Sequence, residues 1–184
     1  MDTHLNGSKN EDIEDDGSLF DSSLLPESEV GDRGNFLLRP LNIADFHKQY
    51  LSLMSQLTTV GQVDEASFSK CFSKMKHCKD SYYIIVIEDL DTQEVIASTT
   101  LIIEYKFIHS TGLRGRLEDV IVKDCYRGKQ FGKILVETVK KLSLKLGVYK
   151  LSLDCSDHMI PFYKSLDFKL EEGRSNSMVI RFSD

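Results

Sequence analysis

The chain has 184 residues, enough for one domain with a packed core, and 41% hydrophobic content with three Pro and no Trp marks an ordinary globular protein. A net charge of −6 argues against a general nucleic-acid binder, no stretch is long and apolar enough to span a bilayer, and the polar start lacks a signal peptide's apolar run. Cys71, Cys78, Cys125 and Cys155 have neither zinc-site spacing nor a disulfide framework, so no metal is expected and a reducing, cytoplasmic setting fits best.

Residues 1–34 are acidic, poor in aromatics and rich in Ser and Gly, so they read as a mostly disordered tail, with the folded domain spanning 35–184. Leu19-Phe20 and Leu24-Leu25 are its candidate docking points. Order is expected to begin with a strand at Phe36–Pro40. Asn42 with Asp45 has the form of a capping box, opening a helix with Phe46, Tyr50, Leu53 and Leu57 on one side. Thr58–Gly61 breaks that helix, and Asp64 caps a second one carrying Phe68, Phe72 and Met75 inward.

Strand signals follow at Tyr82–Glu88 and Glu94–Glu104, joined by an Asp89–Gln93 turn. A polar loop with Lys106 and His109 leads to a third strand from Arg116, whose apolar run of Leu117, Val120, Ile121 and Val122 is interrupted by Glu118-Asp119. Past a turn at Asp124–Gly128, helical spacing runs from Phe131 to Leu146, with Gly147 as its C-cap. A strand at Val148–Cys155, a short helix at Ile160–Leu166 with Pro161 in its first turn, and strands at Phe168–Glu171 and Met178–Phe182 complete the chain. The element order gives a mixed α/β sheet of the α+β kind, flanked by helices.

The turn between the third strand and the long helix carries the first functional signal. A basic, glycine-containing turn at a helix start offers free backbone N–H groups and the positive end of the helix dipole to an anion, with Arg127, Lys129 and Lys133 beside it. It is not a Walker loop, because three residues rather than four separate Gly128 from Gly132 and Ile134 follows Lys133. The dinucleotide pattern G-x-G-x-x-G is absent as well.

What remains, Arg127-Gly128-Lys129-Gln130-Phe131-Gly132, resembles the cofactor loop [QR]-x-x-G-x-[GA] of the GNAT N-acetyltransferases, with Gln130 in place of the first glycine. The likeness narrows further. LTTVG (57–61), IIEYKFIH (102–109), GRLEDV (115–120), YRGKQFGK (126–133), YKLSLDC (149–155) and FYKSLDF (162–168) occur in the order seen in the glucosamine-6-phosphate N-acetyltransferase family, over roughly residues 36–184.

This resemblance implies a GNAT fold with a central, mostly antiparallel sheet, and transfer of acetyl from acetyl-CoA to the amine of D-glucosamine 6-phosphate, a step of UDP-N-acetylglucosamine biosynthesis. The backbone of Arg127, Gly128, Lys129, Gln130, Phe131, Gly132 and Lys133 would hold the CoA pyrophosphate. Val120, Ile121 and Val122 would line the pantetheine arm, where a bulge could aim an N–H at the thioester oxygen. Glu118, Asp119 and Asp154 would hold the sugar's amine and hydroxyls. Lys150 and Arg181 would meet its phosphate, with Thr58, Lys106, Phe107, Ile108, His109 and Tyr149 lining the site. Tyr163 would give a proton to the departing sulfur.

The catalytic set implied is therefore Tyr163, Glu118 and Asp154, working without a metal in a homodimer whose C-terminal strand and sugar pocket involve both subunits. Met159 departs from the family's Asn at a cofactor contact, and Asp167-Phe168 replaces Gly-Phe. Cys155, on the strand beside the cofactor sulfur, is a candidate for a mixed disulfide with CoA and otherwise an inert buried thiol. Two other readings stay open: a GNAT enzyme for another amine, such as a polyamine or a protein N-terminus, and a CoA-binding module without turnover.

Overall fold

The computed structural model of the chain describes residues 16–173 and 178–180. Among them, β1 (Phe36–Pro40), β2 (Tyr82–Asp89), β3 (Glu94–Tyr105), β4 (Leu113–Val122) and β5 (Val148–Ser152) form one sheet in the order β1-β2-β3-β4-β5. β1 to β4 pair antiparallel, and β5 joins β4 in parallel. A parallel neighbour needs a long crossover, which the helix α4 (Phe131–Lys145) supplies.

β2 shows how the sheet is buried on both faces. Tyr83, Ile85 and Ile87 face the core built with α4, while Ile84 and Val86 face the core built with α1 (Tyr50–Met54) and α2 (Glu65–His77). Alternate residues of a strand point to opposite faces, so a run apolar at every position is what a central strand requires. On α4, Leu135, Val136, Val139 and Leu142 are all fully buried, each contributing about 1.5–3 kcal/mol relative to exposure. Gly147 follows that helix with φ +76°, as a C-terminal stop does.

Residues 16–34 depart from the expected disordered tail. Leu19 donates its N–H to the Leu41 carbonyl at 2.8 Å, Phe20 stands edge-on to Tyr83 at 5.0 Å, and Leu19 and Val30 are core residues. Lys145 reaches the carbonyls of Ser23 and Leu24 at the C-terminal end of α4, and Arg33 reaches Gln130 at its N-terminal end. The segment is a strap along α4, held by few but well-spaced apolar side chains. Residues 1–15 lie outside the described residues.

The first expected helix is broken in two. The Asn42–Asp45 capping box forms, but it opens a 3-10 turn at Ile43–His47, and Gln49 adopts a left-handed φ of +63° before α1 begins. The carboxylate of Asp45 is fully buried, where Arg39 clamps it with bonds of 2.8 and 2.6 Å. β5 stops at Ser152 rather than Cys155, and α5 (Ile160–Lys164) is shorter than expected, with Pro161 in its first turn.

No strand forms at Phe168–Glu171. Met178, Val179 and Ile180 are not in a strand either and are 93%, 66% and 79% exposed; the rest of that expected strand, with Arg181, lies outside the described residues.

Candidate functional site

The acidic pair that interrupts the β4 pattern turns out to be a bulge. Thr100 pairs with Glu118 and Ser98 with Ile121, so three steps on β4 match two on β3. The extra residue is absorbed by Asp119, which takes a left-handed φ of +53°. On its other side, β4 pairs with β5 from Leu113–Val148 to Arg116–Ser152, and there the ladder ends. Beyond it the backbone edge of β4 from Leu117 to Val122 is left out of the β5 ladder, alongside the Leu153–Cys155 segment that follows β5.

Arg116, at the last rung, links β4 to the segment that follows β5. Its Nε donates to Glu118 Oε1 at 2.8 Å and its Nη2 to Asp154 Oδ2 at 2.9 Å. Glu118, Asp119 and Asp154 are thus gathered as expected, but with a cation between two of them that sequence reasoning did not single out. The alternation of β4 could have found it, since residues 116 and 118 share a face. The hydrogen bonds it donates to Glu118 and Asp154 hold the Arg116 guanidinium above its ordinary value. Partial desolvation, and then the charge of Glu118, push the Asp119 carboxyl up.

The loop at the far end of β4 matches its expected form. Gly128 has φ +81°, and Gln130, at the N-cap of α4, has φ +64° with no side chain capping the helix. The first N–H groups of α4 have no partners within the helix and remain open to an anion. A Cβ built at Gly128 would meet nothing within 4 Å, and one at Gly132 would make only ordinary 3.7 Å contacts. The protein's own packing leaves that space, so an uncapped helix start with an open approach fits a pyrophosphate.

The side chains around the loop are more committed than expected. Phe131 is buried at 1% exposure, edge-on to Phe36, so only its backbone faces the cradle. Lys129 lies over the rings of Tyr126 (5.0 Å) and Phe36 (5.8 Å), and Arg127 pairs with Asp124 at 2.6 Å. Lys133 is exposed. Ile121 turns its side chain into the α1–α2 core, and Val120 and Val122 turn theirs toward the α4 core, so only their backbone edge is left beside the end of the β5 ladder.

Tyr163 on α5 is buried, edge-on to Phe162 at 5.0 Å and Phe168 at 5.9 Å. Burial, and then nearby Cys155, push its phenol above the ordinary value. Cys155 itself is exposed rather than buried, and desolvation followed by Asp157 and Asp154 pushes its thiol up, away from a reactive thiolate. Thr58 is exposed in the loop after α1. Gln56 in that loop accepts the Asp124 N–H at 3.0 Å, which brings the loop to the entrance of the cofactor turn.

The remaining residues form a second group. The His109 ring lies 4.2 Å from Tyr149, Lys150 pairs with Glu171 at 3.1 Å, and Lys106 pairs with Glu104. Phe107 and Ile108 are 99% and 63% exposed in α3 (Ile108–Thr111) and its approach, a single turn that is left-handed at His109, Ser110 and Thr111. Lys150 is level with Arg114, four residues from Glu118, or about 13 Å along the strand. Within one chain the cationic and acidic groups are therefore separate.

Known proteins carry the same pattern. The model of the acetyltransferase (GNAT) family matches residues 48–168. A Drosophila melanogaster protein named "Probable glucosamine 6-phosphate N-acetyltransferase" is 50% identical over 147 residues, covering 80% of this chain and 67% of that one. A Dictyostelium discoideum glucosamine 6-phosphate N-acetyltransferase is 37% identical over 131 residues, covering 71% and 83%. The crystal structure of glucosamine-6-phosphate N-acetyltransferase from Arabidopsis thaliana superposes with a TM-score of 0.77 at 33% identity, covering 82% of this chain and all of that one. By family model, relatives and superposition alike, the chain belongs to the GNAT acetyltransferase family, in the group of the glucosamine 6-phosphate N-acetyltransferases.

Proposed function

We propose that the chain transfers the acetyl group of acetyl-CoA to the amine of D-glucosamine 6-phosphate, giving N-acetyl-D-glucosamine 6-phosphate and CoA. The observation that carries this reading is one continuous path. It runs from the uncapped start of α4, along the open edge of β4, to the carboxylates at the Asp119 bulge. Acetyl-CoA supplies the activated thioester; the chain supplies position.

Backbone N–H groups of Gly128 to Lys133 hold the pyrophosphate, and the edge of Val120–Val122 aligns the pantetheine arm. An N–H freed at the bulge meets the charge that develops on the thioester oxygen. Glu118, Asp119 and Asp154 orient the amine so that its nitrogen attacks the carbonyl carbon, and most of the acceleration comes from that placement. The carbon–sulfur bond breaks and the sulfur takes the Tyr163 proton; the proton that the attacking nitrogen gives up passes to water, and one from water restores the phenol, so protons balance. Burial raises the Tyr163 phenol above its ordinary value, so it is protonated and able to donate in the neutral range.

The cationic group lies about 13 Å along the strand from the acids, and we infer that two copies complete each site. The exposed Tyr105, Phe107, Ile108, Met178, Val179 and Ile180 provide apolar surface for a homodimer. Among the described residues no helix is long and apolar enough to cross a membrane, and all four cysteines are free. A reducing cytoplasm suits them.

A coupled thiol-release assay with acetyl-CoA and glucosamine 6-phosphate tests the substrate. Release is expected with that sugar. Release with a polyamine or a peptide N-terminus, and none with the sugar, would assign another amine. No release with any amine, alongside CoA binding, would make the chain a binding module.

A further inference from the structure

Arg116 stands where β4 and β5 part, and four residues at that point share one face of the sheet. Residues 116 and 118 on β4 are two apart and point the same way, and the bonds Arg114–Ser152 and Arg116–Asp154 bring Ser152, at the end of β5, and Asp154, just beyond it, to that face. Arg116 uses this to fork between Glu118 at 2.8 Å and Asp154 at 2.9 Å. We propose that Arg116 is a positioning residue that keeps Glu118 and Asp154 apart and offsets their charge, so that the site holds the attacking amine in its neutral, nucleophilic form. This rests on the amino sugar binding at these carboxylates.

The chemistry sets two demands against each other. An amine can attack only after losing its proton, yet three carboxylates around it favour the ammonium ion. Amines of this kind titrate near neutrality, with α-amino groups at about 8 as the guide. Arg116 removes one negative charge from the group and engages one oxygen each of Glu118 and Asp154.

The other charges near it do not replace this role. Asp119, next in β4, adds a negative charge. From β3, Glu104 is already paired with Lys106 and lies 3.9 Å from Arg114. Arg114 is turned to Ser152 at 3.1 Å. The raised titration of Arg116 agrees with its bonds to both carboxylates.

The test is the pH dependence of kcat for glucosamine 6-phosphate in wild type, Arg116→Gln and Arg116→Lys, with CoA release as the signal. In Arg116→Gln the pH at which kcat rises should move up by about one unit. Near pH 7 that is roughly a ten-fold loss, regained as the pH approaches 9, with no rise in KM for the sugar. Arg116→Lys retains the charge and should keep the wild-type pH dependence.

A loss in Arg116→Gln that is the same at every pH, or no loss, overturns the role. So does a shift of a full unit in Arg116→Lys, a result that stands even if the glutamine variant does not fold. Wild-type protein that does not turn over the sugar defeats the substrate reading and this role together. Turnover with an unshifted profile defeats only the role of Arg116.

Discussion

The hydroxyl of Tyr126 donates a 2.6 Å hydrogen bond to Oδ2 of Asp89, joining the turn before the cofactor loop to the end of β2. Asp89 also accepts the N–H groups of Asp91 and Thr92, so its carboxylate is fixed by its own turn. Phe36, Tyr126 and Phe131 pack around the bond, with Lys129 above two of the rings. The bond pushes the Tyr126 phenol up to about 12 and holds the Asp89 carboxyl below its usual range.

Tyr126→Phe should therefore loosen the loop without emptying the core. Losing one such hydrogen bond costs about 1 kcal/mol, or roughly five-fold in affinity. The expected effect is a higher KM for acetyl-CoA and weaker CoA binding by calorimetry, with kcat and the KM for sugar unchanged. An equal fall in all three would mean the bond only supports the fold. Asp89 has a lowered folded pKa, so its contribution to stability is complete above the unfolded value of about 3.9. It is lost as pH falls through the folded value. The stability gap between wild type and Tyr126→Phe should accordingly narrow in acid titrations below pH ~4.

The strand pattern, the uncapped helix start and the acidic pair were legible because each is local. Periodicity, a turn residue and two carboxylates can be read from one stretch of chain. Alternation alone puts Arg116 on the face of Glu118, but its reach to Asp154 depends on where β5 leaves β4, a property of two strands. The strap was legible only at its docking points Leu19-Phe20 and Leu24-Leu25: apolar residues so sparse do not suggest order by themselves, and Leu19 and Val30 become buried against two separate cores that the rest of the chain builds. The expected final strands carry the right alternation, but Leu170, Met178, Val179 and Ile180 remain exposed in a single copy.

The strap gives a second prediction. A chain lacking residues 1–15 is the reference for one lacking 1–34. Removing 1–34 exposes the sites of Leu19 and Val30, each worth about 1.5–3 kcal/mol of burial. It also strips Lys145 and Gln130 of their contacts. At 2–4 °C per kcal/mol for a domain of this size, Tm should fall on the order of 10 °C. Equal melting of the two truncations in scanning calorimetry would show that the strap contributes nothing.

Lys150 offers a third. Its ammonium is held by Glu171 at 3.1 and 3.3 Å, so a sugar phosphate has to compete with a carboxylate for it. Lys150→Ala should raise the KM for glucosamine 6-phosphate about ten-fold, as expected when a charged hydrogen bond of 1.5–3 kcal/mol is lost. It should barely change the KM for unphosphorylated glucosamine. Glu171→Gln should lower the KM for the phosphorylated sugar. Arg181→Ala is expected to behave like Lys150→Ala. If the lysine change affects both sugars equally, Lys150 is not the phosphate contact.

The last prediction concerns the proton that the sulfur must receive. Burial raises the Tyr163 phenol above its ordinary value, so it stays protonated, and able to donate, throughout the neutral range. Tyr163→Phe keeps the ring contacts with Phe162 and Phe168 and removes only the hydroxyl. A donor of this kind contributes about 10²-fold or more, and a thiolate is a good leaving group, so a loss in kcat near 10²-fold is the expected size. The KM for both substrates should hold, because the hydroxyl acts on the departing sulfur rather than on binding. Acyl donors with more acidic thiols need the proton less. With such a thioester the variant should recover most of the wild-type rate, and an undiminished defect would place Tyr163 in packing alone.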